Sequence, residues 1–274
     1  MPYDEYVGRT DTRTDTVALR LAHGLAATLG VPAPGAELPP LWHWMLFQHW
    51  APADLLGPDG HPKRGDFLPP VDDLPRRMWA GGRLRFLAPL HAGEAVTRTS
   101  TIAAITEKTG GSGRLVFVTV RHDIAGAAGA AIREEQDIVY RGAEGAAVKP
   151  APAAPPVPTG ALIRTLRPDP VLLFRYSALT GNGHRIHYDL DYVTRVERYP
   201  GLIVHGPLQA TLLAGVAAEA AGGSRLAAFA YRGRRPAFHD RVLTLVGVRQ
   251  DGQVRVESRD EDGAVCMDGE ATLA

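Results

Sequence analysis

The chain has 274 residues, 45% of them hydrophobic, and carries equal numbers of basic and acidic side chains. That apolar content supports a packed core in one large domain or two ordinary ones, and a net charge of zero argues against nucleic-acid binding, which normally draws on a basic excess. One cysteine, Cys266, excludes an internal disulfide and a cysteine-based metal site and suits a reducing cytoplasm.

The first sixteen residues are polar and charged with no apolar signal core, and no run approaches the roughly 20 apolar residues of a membrane span. From Thr16 to Leu29 apolar side chains recur with helical spacing, which predicts a helix capped by Asp15 or Thr16 and stopped at Gly30. His23 on that helix reads as a surface or packing residue. Trp42, Trp44 and Trp50 fall within nine residues. They read either as core and domain interface or as an aromatic wall for a ligand. Leu56 to Gly65 is a loop by its glycines and prolines. Strands are expected over 82–87, 95–105, 115–121 (after the turn at 110–113) and 131–140, as an antiparallel meander.

Residues 145–160 are rich in proline and alanine and nearly uncharged, the composition of a semi-stiff linker. The domain boundary is placed there: 1–146, a linker at 147–160, and 161–274. A short helix then runs to Gly181, an αL stop. Pro207–Gly222 is apolar on nearly all faces and predicts a helix buried on most sides. Strands follow at 226–231, 242–248, 254–258 and 264–273. Pro89–Val96 and Pro236–Leu243 are offset echoes 147 residues apart, so helices followed by antiparallel strands occur twice. This is an α+β pattern, not βαβ.

The chemistry is expected between Gly181 and Tyr188, where two histidines, a side-chain amide, two glycines and an arginine share eight residues. Imidazole is suited to proton transfer near neutrality. Gly206 opens the apolar helix, so its N–H is a candidate oxyanion donor, and Pro207 beside it pre-sets the turn. Taken alone, His187 could equally satisfy a buried backbone group, and His184 divides between function and structure. Arg232, Arg234 and Arg235 read as an ordinary solvated edge or as ligand contacts, and Arg185 and Arg195 likewise.

The segments Leu56–Pro62, Arg77–Arg83, Glu134–Tyr140, Asn182–Asp189 and Pro200–Pro207, in this order, resemble the MaoC-like double hotdog family. The resemblance is strongest to mesaconyl-C4-CoA hydratases and mitochondrial-type 3-hydroxyacyl-thioester dehydratases. It implies a double hotdog, two antiparallel sheets each wrapped around a central helix. The N-terminal unit would be degenerate and bind the acyl group, and the C-terminal unit would be catalytic. The wider family carries an Asp and a His five residues apart. Here Asn182 stands in the Asp position and His187 in the His position, five apart. His187 is thus the expected catalyst, with Asn182 orienting the water or His184 contributing. Asp189 is a nearby carboxylate that could equally cap the next helix.

The resemblance further implies water addition or removal across C2=C3 of an acyl-CoA thioester, with mesaconyl-C4-CoA, hydrated to a citramalyl ester, as leading substrate. Alternatives are a 3-hydroxyacyl-thioester dehydratase of fatty acid metabolism and a non-catalytic acyl-thioester-binding subunit. Substrate or coenzyme A contacts are expected from Arg185, Arg195, His205, Tyr231, Arg232 and Arg234, with His205 also supporting its loop. No cofactor is expected beyond the coenzyme A of the substrate, and no metal, since no Cys/His/carboxylate set stands at ligand spacing. Nucleic-acid and membrane partners are not expected; a homo-oligomer is compatible.

Overall fold

The computed structural model describes residues 3–110, 113–142 and 155–274. The turn residues at 111–112 and most of the expected linker, 147–154, lie outside them. Ten strands form one antiparallel sheet. In chain order they are β1 (Thr10–Thr16), β2 (Arg76–Phe86), β3 (Ala95–Gly110), β4 (Gly113–Gly126), β5 (Gly129–Arg141), β6 (Leu162–Leu166), β7 (Leu226–Gly233), β8 (Leu243–Gln250), β9 (Gln253–Arg259) and β10 (Val265–Leu273). Their spatial order is β1-β3-β4-β5-β2-β7-β10-β9-β8-β6. The second five strands therefore repeat the pattern of the first five in mirror order. The two five-stranded sheets are joined edge to edge by β2 and β7, with Gly81 opposite Arg232 and Arg85 opposite Ala228.

The helices lie between the first and second strand of each half. In the second half these are α2 (Pro170–Thr180), α3 (Leu190–Arg195) and α4 (Gly206–Ala220); in the first, α1 (Leu19–Leu29) packs against α2. Asp169 caps α2, accepting the Leu172 N–H at 2.7 Å, and Pro170 follows with a φ already suited to a first turn. Helix α4 is the hotdog helix. Leu208, Ala210, Leu213, Ala214 and Ala217 are all fully buried against the second sheet. Gly247 on β8 permits that approach, because a Cβ there would stand 2.7 Å from Val216 Cγ1.

The first half has no counterpart of α4 among the described residues. At the equivalent point in the chain stands a single 3-10 turn, Trp42–Met45. Leu41 enters it at φ 70° and Phe47 follows at φ 57°, strained values for bulky side chains. Trp42, Met45, Leu46 and Phe47 are buried in a core continuous with Leu173, Leu208 and Leu213 of the second half. Without a long helix under the first sheet, a cavity remains.

Two strands and one cap differ from the sequence expectation. β1 has no apolar alternation; its threonines pair with those of β3, Thr12 and Thr99 hydroxyls lying 3.3 Å apart. β6 is a five-residue edge strand with no buried residue. Helix α1 begins at Leu19 with Ala18 as its uncapped N-terminus, because Asp15 instead accepts the Phe47 N–H at 2.7 Å.

Candidate active site

A cavity of about 860 Å³ runs between the halves. One wall is the polar turn after α2. That helix stops at Gly181 in the αL region, φ 63°, and the Asn182 N–H bonds the Ser177 carbonyl at 2.9 Å. The Asn182 side-chain oxygen accepts the His184 N–H at 3.0 Å, which folds the turn. A 3-10 turn, Arg185–His187, then presents His187 to the cavity.

His187 is 6% exposed, and its Nδ1–H donates to the Ile203 carbonyl at 2.7 Å. A carbonyl only accepts, so the tautomer is fixed and the Nε2 lone pair is left unprotonated. Behind it, His205 is fully buried and hydrogen-bonded through Nε2 to Ser177 Oγ at 2.8 Å. Burial lowers the His187 pKa to about 3, the Ile203 hydrogen bond only partly opposing it. Burial likewise takes His205 well below 6.5, and the neighbouring His187 and His184 add to the effect. Both imidazoles are neutral near pH 7.

The other wall comes from the first half. The loop after the 3-10 turn Ala53–Leu55 is closed by a bridge between Leu56 and Pro62. It is pinned to the polar turn. Arg185 N–H donates to the Asp59 carbonyl at 2.9 Å, and Arg185 Nη1 to the Pro58 carbonyl at 3.0 Å. Gly60, at φ 86°, touches Gly183, and a Cβ on Gly183 would lie 2.8 Å from the Gly60 carbonyl. Asp59 uses both oxygens on His61: Oδ1 accepts its backbone N–H at 3.0 Å and Oδ2 pairs with Nδ1 at 2.9 Å. His184 stands between the loops, its ring 4.2 Å from that of His61 and 5.6 Å from that of His187. Burial lowers the His61 pKa to about 4, with Arg77 pushing the same way and Asp59 opposing. Burial of Asp59 would raise its carboxyl, but the hydrogen bond and charge of His61 more than offset this and hold it well below the usual range. His184 is also lowered, first by burial and then by His61 and His187.

Asp59, His61 and His184 bring one ligand atom each within 4.8 Å of one another, so three groups of metal-ligating type do converge, from two distant segments. Sequence spacing could not show this, because the set is assembled by tertiary contact.

Gly206 lies at the cavity as the first residue of α4, where a backbone N–H has no partner within the helix. Trp79 and Trp44 form an aromatic wall, with ring centroids 5.0 Å apart. Trp44 is held by buried Glu134, which accepts Trp44 Nε1–H at 3.0 Å and pairs with His43 Nε2 at 2.9 Å. The aromatic segment thus contributes to the core through Trp42 and to the cavity wall through Trp44 and the 70% exposed Trp50.

Of the residues singled out in the sequence, His187, His184, Asn182, Gly206, Arg234 and Arg235 reach the cavity wall. Five do not. Arg185 is engaged by Asp189 and Pro58 and lies over the Tyr192 ring. Arg195 is 78% exposed and pairs with Asp191 on α3. Arg232 is exposed on β7. His205 is buried behind His187, and Tyr231 is buried against Trp44. Asp189 caps α3, accepting the Tyr192 N–H at 2.9 Å. Sequence reasoning missed Asp59, His61 and Arg77. The Asp-x-His spacing inside the loop was the available signal.

Fold and site together define a double hotdog hydro-lyase. The family model for hydroxyacyl-thioester dehydratase type 2 matches residues 41–239. The mesaconyl-C4-CoA hydratase of Chloroflexus aurantiacus is 43% identical over 98% of this chain and 96% of that one. A MaoC-like dehydratase structure from Phytophthora capsici superposes with a TM-score of 0.73 at 18% identity, covering 100% of this chain and 98% of that chain. A double hotdog protein of Mycobacterium tuberculosis superposes at 0.60 with 14% identity, over 98% and 96%. The chain belongs to the hydroxyacyl-thioester dehydratase type 2 family.

Proposed function

We propose that the protein hydrates the C2=C3 bond of a dicarboxylic acyl-CoA thioester, with mesaconyl-C4-CoA as substrate and a citramalyl ester as product. The observation that carries this reading is the pairing of a neutral imidazole, His187, with the free N–H of Gly206 at one cavity. His187 Nε2 accepts a hydrogen bond from the attacking water, and Gly206 N–H receives the thioester oxygen as negative charge develops on it. The same groups run in reverse remove water from a 3-hydroxyacyl thioester.

The acyl group named for the 43% identical relative fits the charge of this cavity. In mesaconyl-C4-CoA the free carboxylate is attached to C3, the carbon that the water attacks. Arg77 lines the cavity near His61 and His184, where burial lowers its pKa and Tyr140 and the nearby Asp59 charge only partly compensate. A substrate carboxylate would complete that cation. Arg234 and Arg235, also at the wall, are paired with Asp268 at 2.7 Å and Asp260 at 3.8 Å and would have to share their charge with coenzyme A phosphates. Enolate chemistry of this kind calls for no redox cofactor or metal. The buried free thiol of Cys266 suits the cytoplasm, and among the described residues no helix is long and apolar enough to cross a membrane.

The test is incubation with a panel of enoyl-CoA and 3-hydroxyacyl-CoA esters, followed by mass spectrometry. Gain of one water on mesaconyl-C4-CoA is expected. A folded protein that changes no ester by one water rejects the reading.

A further inference from the structure

The hydratase reading leaves one proton unassigned. It must leave water as oxygen bonds to C3 and must reach C2 as the enolate collapses. His187 is poorly placed to hold it, because its only partner at Nδ1 is the neutral Ile203 carbonyl and its ring lies against His205. Asn182 cannot take it, since an amide does not protonate near neutral pH, and its oxygen already serves the His184 N–H.

Within the same cavity, packed on the reactive turn beside His184, stands a histidine backed by a carboxylate. His61 is 19% exposed at the side chain and its Nδ1 faces Asp59 Oδ2 at 2.9 Å. Asp59 is ionised, so it accepts and His61 donates. That fixes the tautomer and leaves Nε2 as a lone pair. An anion opposite Nδ1 also stabilises the imidazolium that forms when Nε2 takes a proton, the arrangement by which a carboxylate makes a neutral histidine an effective base. The dyad is held on the reactive turn by the Asp59–Arg185 and Pro58–Arg185 hydrogen bonds and by the Gly60–Gly183 contact. Chain that serves only to close a surface loop has no need of such docking.

We infer that Asp59 and His61, contributed by the half without a hotdog helix, are the proton-transfer dyad of the reaction, replacing the carboxylate absent at position 182. The inference rests on the hydratase reading and completes it. Water, held by His187 Nε2, gives one proton to His61 Nε2 while its oxygen bonds to C3. The C2=C3 electron pair moves to the thioester oxygen at Gly206. The carbonyl then re-forms, C2 takes the proton from His61, and the dyad returns to its starting state. One water is consumed and no proton is lost or gained. Arg77 lowers His61 basicity in the free enzyme; a substrate carboxylate at Arg77 neutralises that charge and makes His61 a better base when substrate is bound.

The test compares wild type with His61→Ala, His61→Gln and Asp59→Asn on a substrate the wild type hydrates, with thermal unfolding followed in parallel. Loss of kcat by about 10²–10⁴ with KM little changed is expected for the His61 variants, the usual range for a positioned acid–base group. Asp59→Asn should lower kcat at unchanged KM and move the acid limb of its pH profile to lower pH, since the imidazolium loses its counter-charge. Should His61→Ala fail to fold, His61→Gln and Asp59→Asn carry the comparison. A folded His61 variant at near wild-type kcat overturns the dyad while leaving the hydratase reading intact. Loss of wild-type activity on chelation, restored by a divalent ion, also overturns it, because Asp59, His61 and His184 would then be metal ligands. A wild type inactive on every ester rejects the hydratase reading itself.

Discussion

The rings of His187 and His205 are stacked with centroids 3.6 Å apart and planes 21° apart. Two imidazoliums cannot share that contact in a buried site without large repulsion, so protonation of either is opposed by the other as well as by burial. The pair works as a neutral stack. His205, tied to Ser177, is the flat support that sets the angle of His187.

Burial of the stack and of its neighbouring histidines makes the protein acid-sensitive. His61, His184, His187 and His205 all have folded-state pKa values below the ordinary 6.5. Between 6.5 and those lower values the unfolded chain binds protons that the folded chain does not, so stability falls as pH falls. Each such histidine contributes about 1.4 kcal/mol per pH unit in that window. Urea unfolding at about pH 7 and about pH 5.5 should show a marked loss of stability. His205→Phe should flatten the slope by one histidine's share; an unchanged slope would contradict the neutral stack.

The same shifts set the pH dependence of the rate. A free imidazole base would give an acid limb near 6.5. With His187 lowered to about 3 and His61 to about 4, the neutral bases persist through neutrality. Initial rates on folded enzyme should be flat between about pH 6 and pH 8 and decline only toward the lower values. An inflection at 6.5 would show that neither histidine is held in the environment described.

Docking of the first-half loop is testable at a glycine. Gly60 has φ 86° and touches Gly183. Gly60→Ala has both backbone strain and a clash with Gly183 to relieve, and the loop must lift. Activity should fall by at least tenfold while the unfolding midpoint moves little, since the displaced loop is short and its core contacts are few. Full activity would mean that the loop position is irrelevant to the reaction.

Arg77 should govern the choice of acyl group. Arg77→Met removes the cation proposed to meet the substrate carboxylate. It should raise KM for mesaconyl-C4-CoA by roughly 10–100-fold, the worth of a charge-assisted pair of about 1.5–3 kcal/mol. A linear enoyl-CoA without a second carboxylate should be affected much less. Equal loss on both esters would remove Arg77 from recognition.

Asn182 separates a turn-forming role from a catalytic one. Its side-chain oxygen folds the turn by accepting the His184 N–H. Asn182→Asp keeps that acceptor and should retain measurable activity. Asn182→Ala loses it, lets His184 and His187 drift, and should lower kcat by roughly 10²-fold. Inactivity of the Asp variant together with activity of the Ala variant would contradict the role assigned.

Much of this was legible in the sequence where one local signal sufficed. The α2 stop at Gly181, the buried α4 helix and eight strands of the repeat follow from glycine stops and apolar periodicity. β1 was hidden because an edge strand of alternating threonine and charge has no apolar face to betray it. His187 was legible through the family resemblance, which puts it five residues after Asn182, and its tautomer and neutral state were not, because they depend on the Ile203 carbonyl sixteen residues on and on tertiary burial. Asp59 and His61 lie in the loop Leu56–Pro62 that carries part of the resemblance, yet nothing local says that the loop folds onto Gly183, more than a hundred residues away. Long-range packing brings this first-half loop to the cavity that the sequence expectation furnished from the second half alone.

The most direct test of the central claim is the steady-state hydration of mesaconyl-C4-CoA in ¹⁸O-labelled water by wild type and by His187→Ala. Wild type should form a citramalyl ester carrying the label at its new hydroxyl, and the variant should lose nearly all turnover. Absence of labelled product from folded wild type, or equal turnover by the variant, would contradict the account.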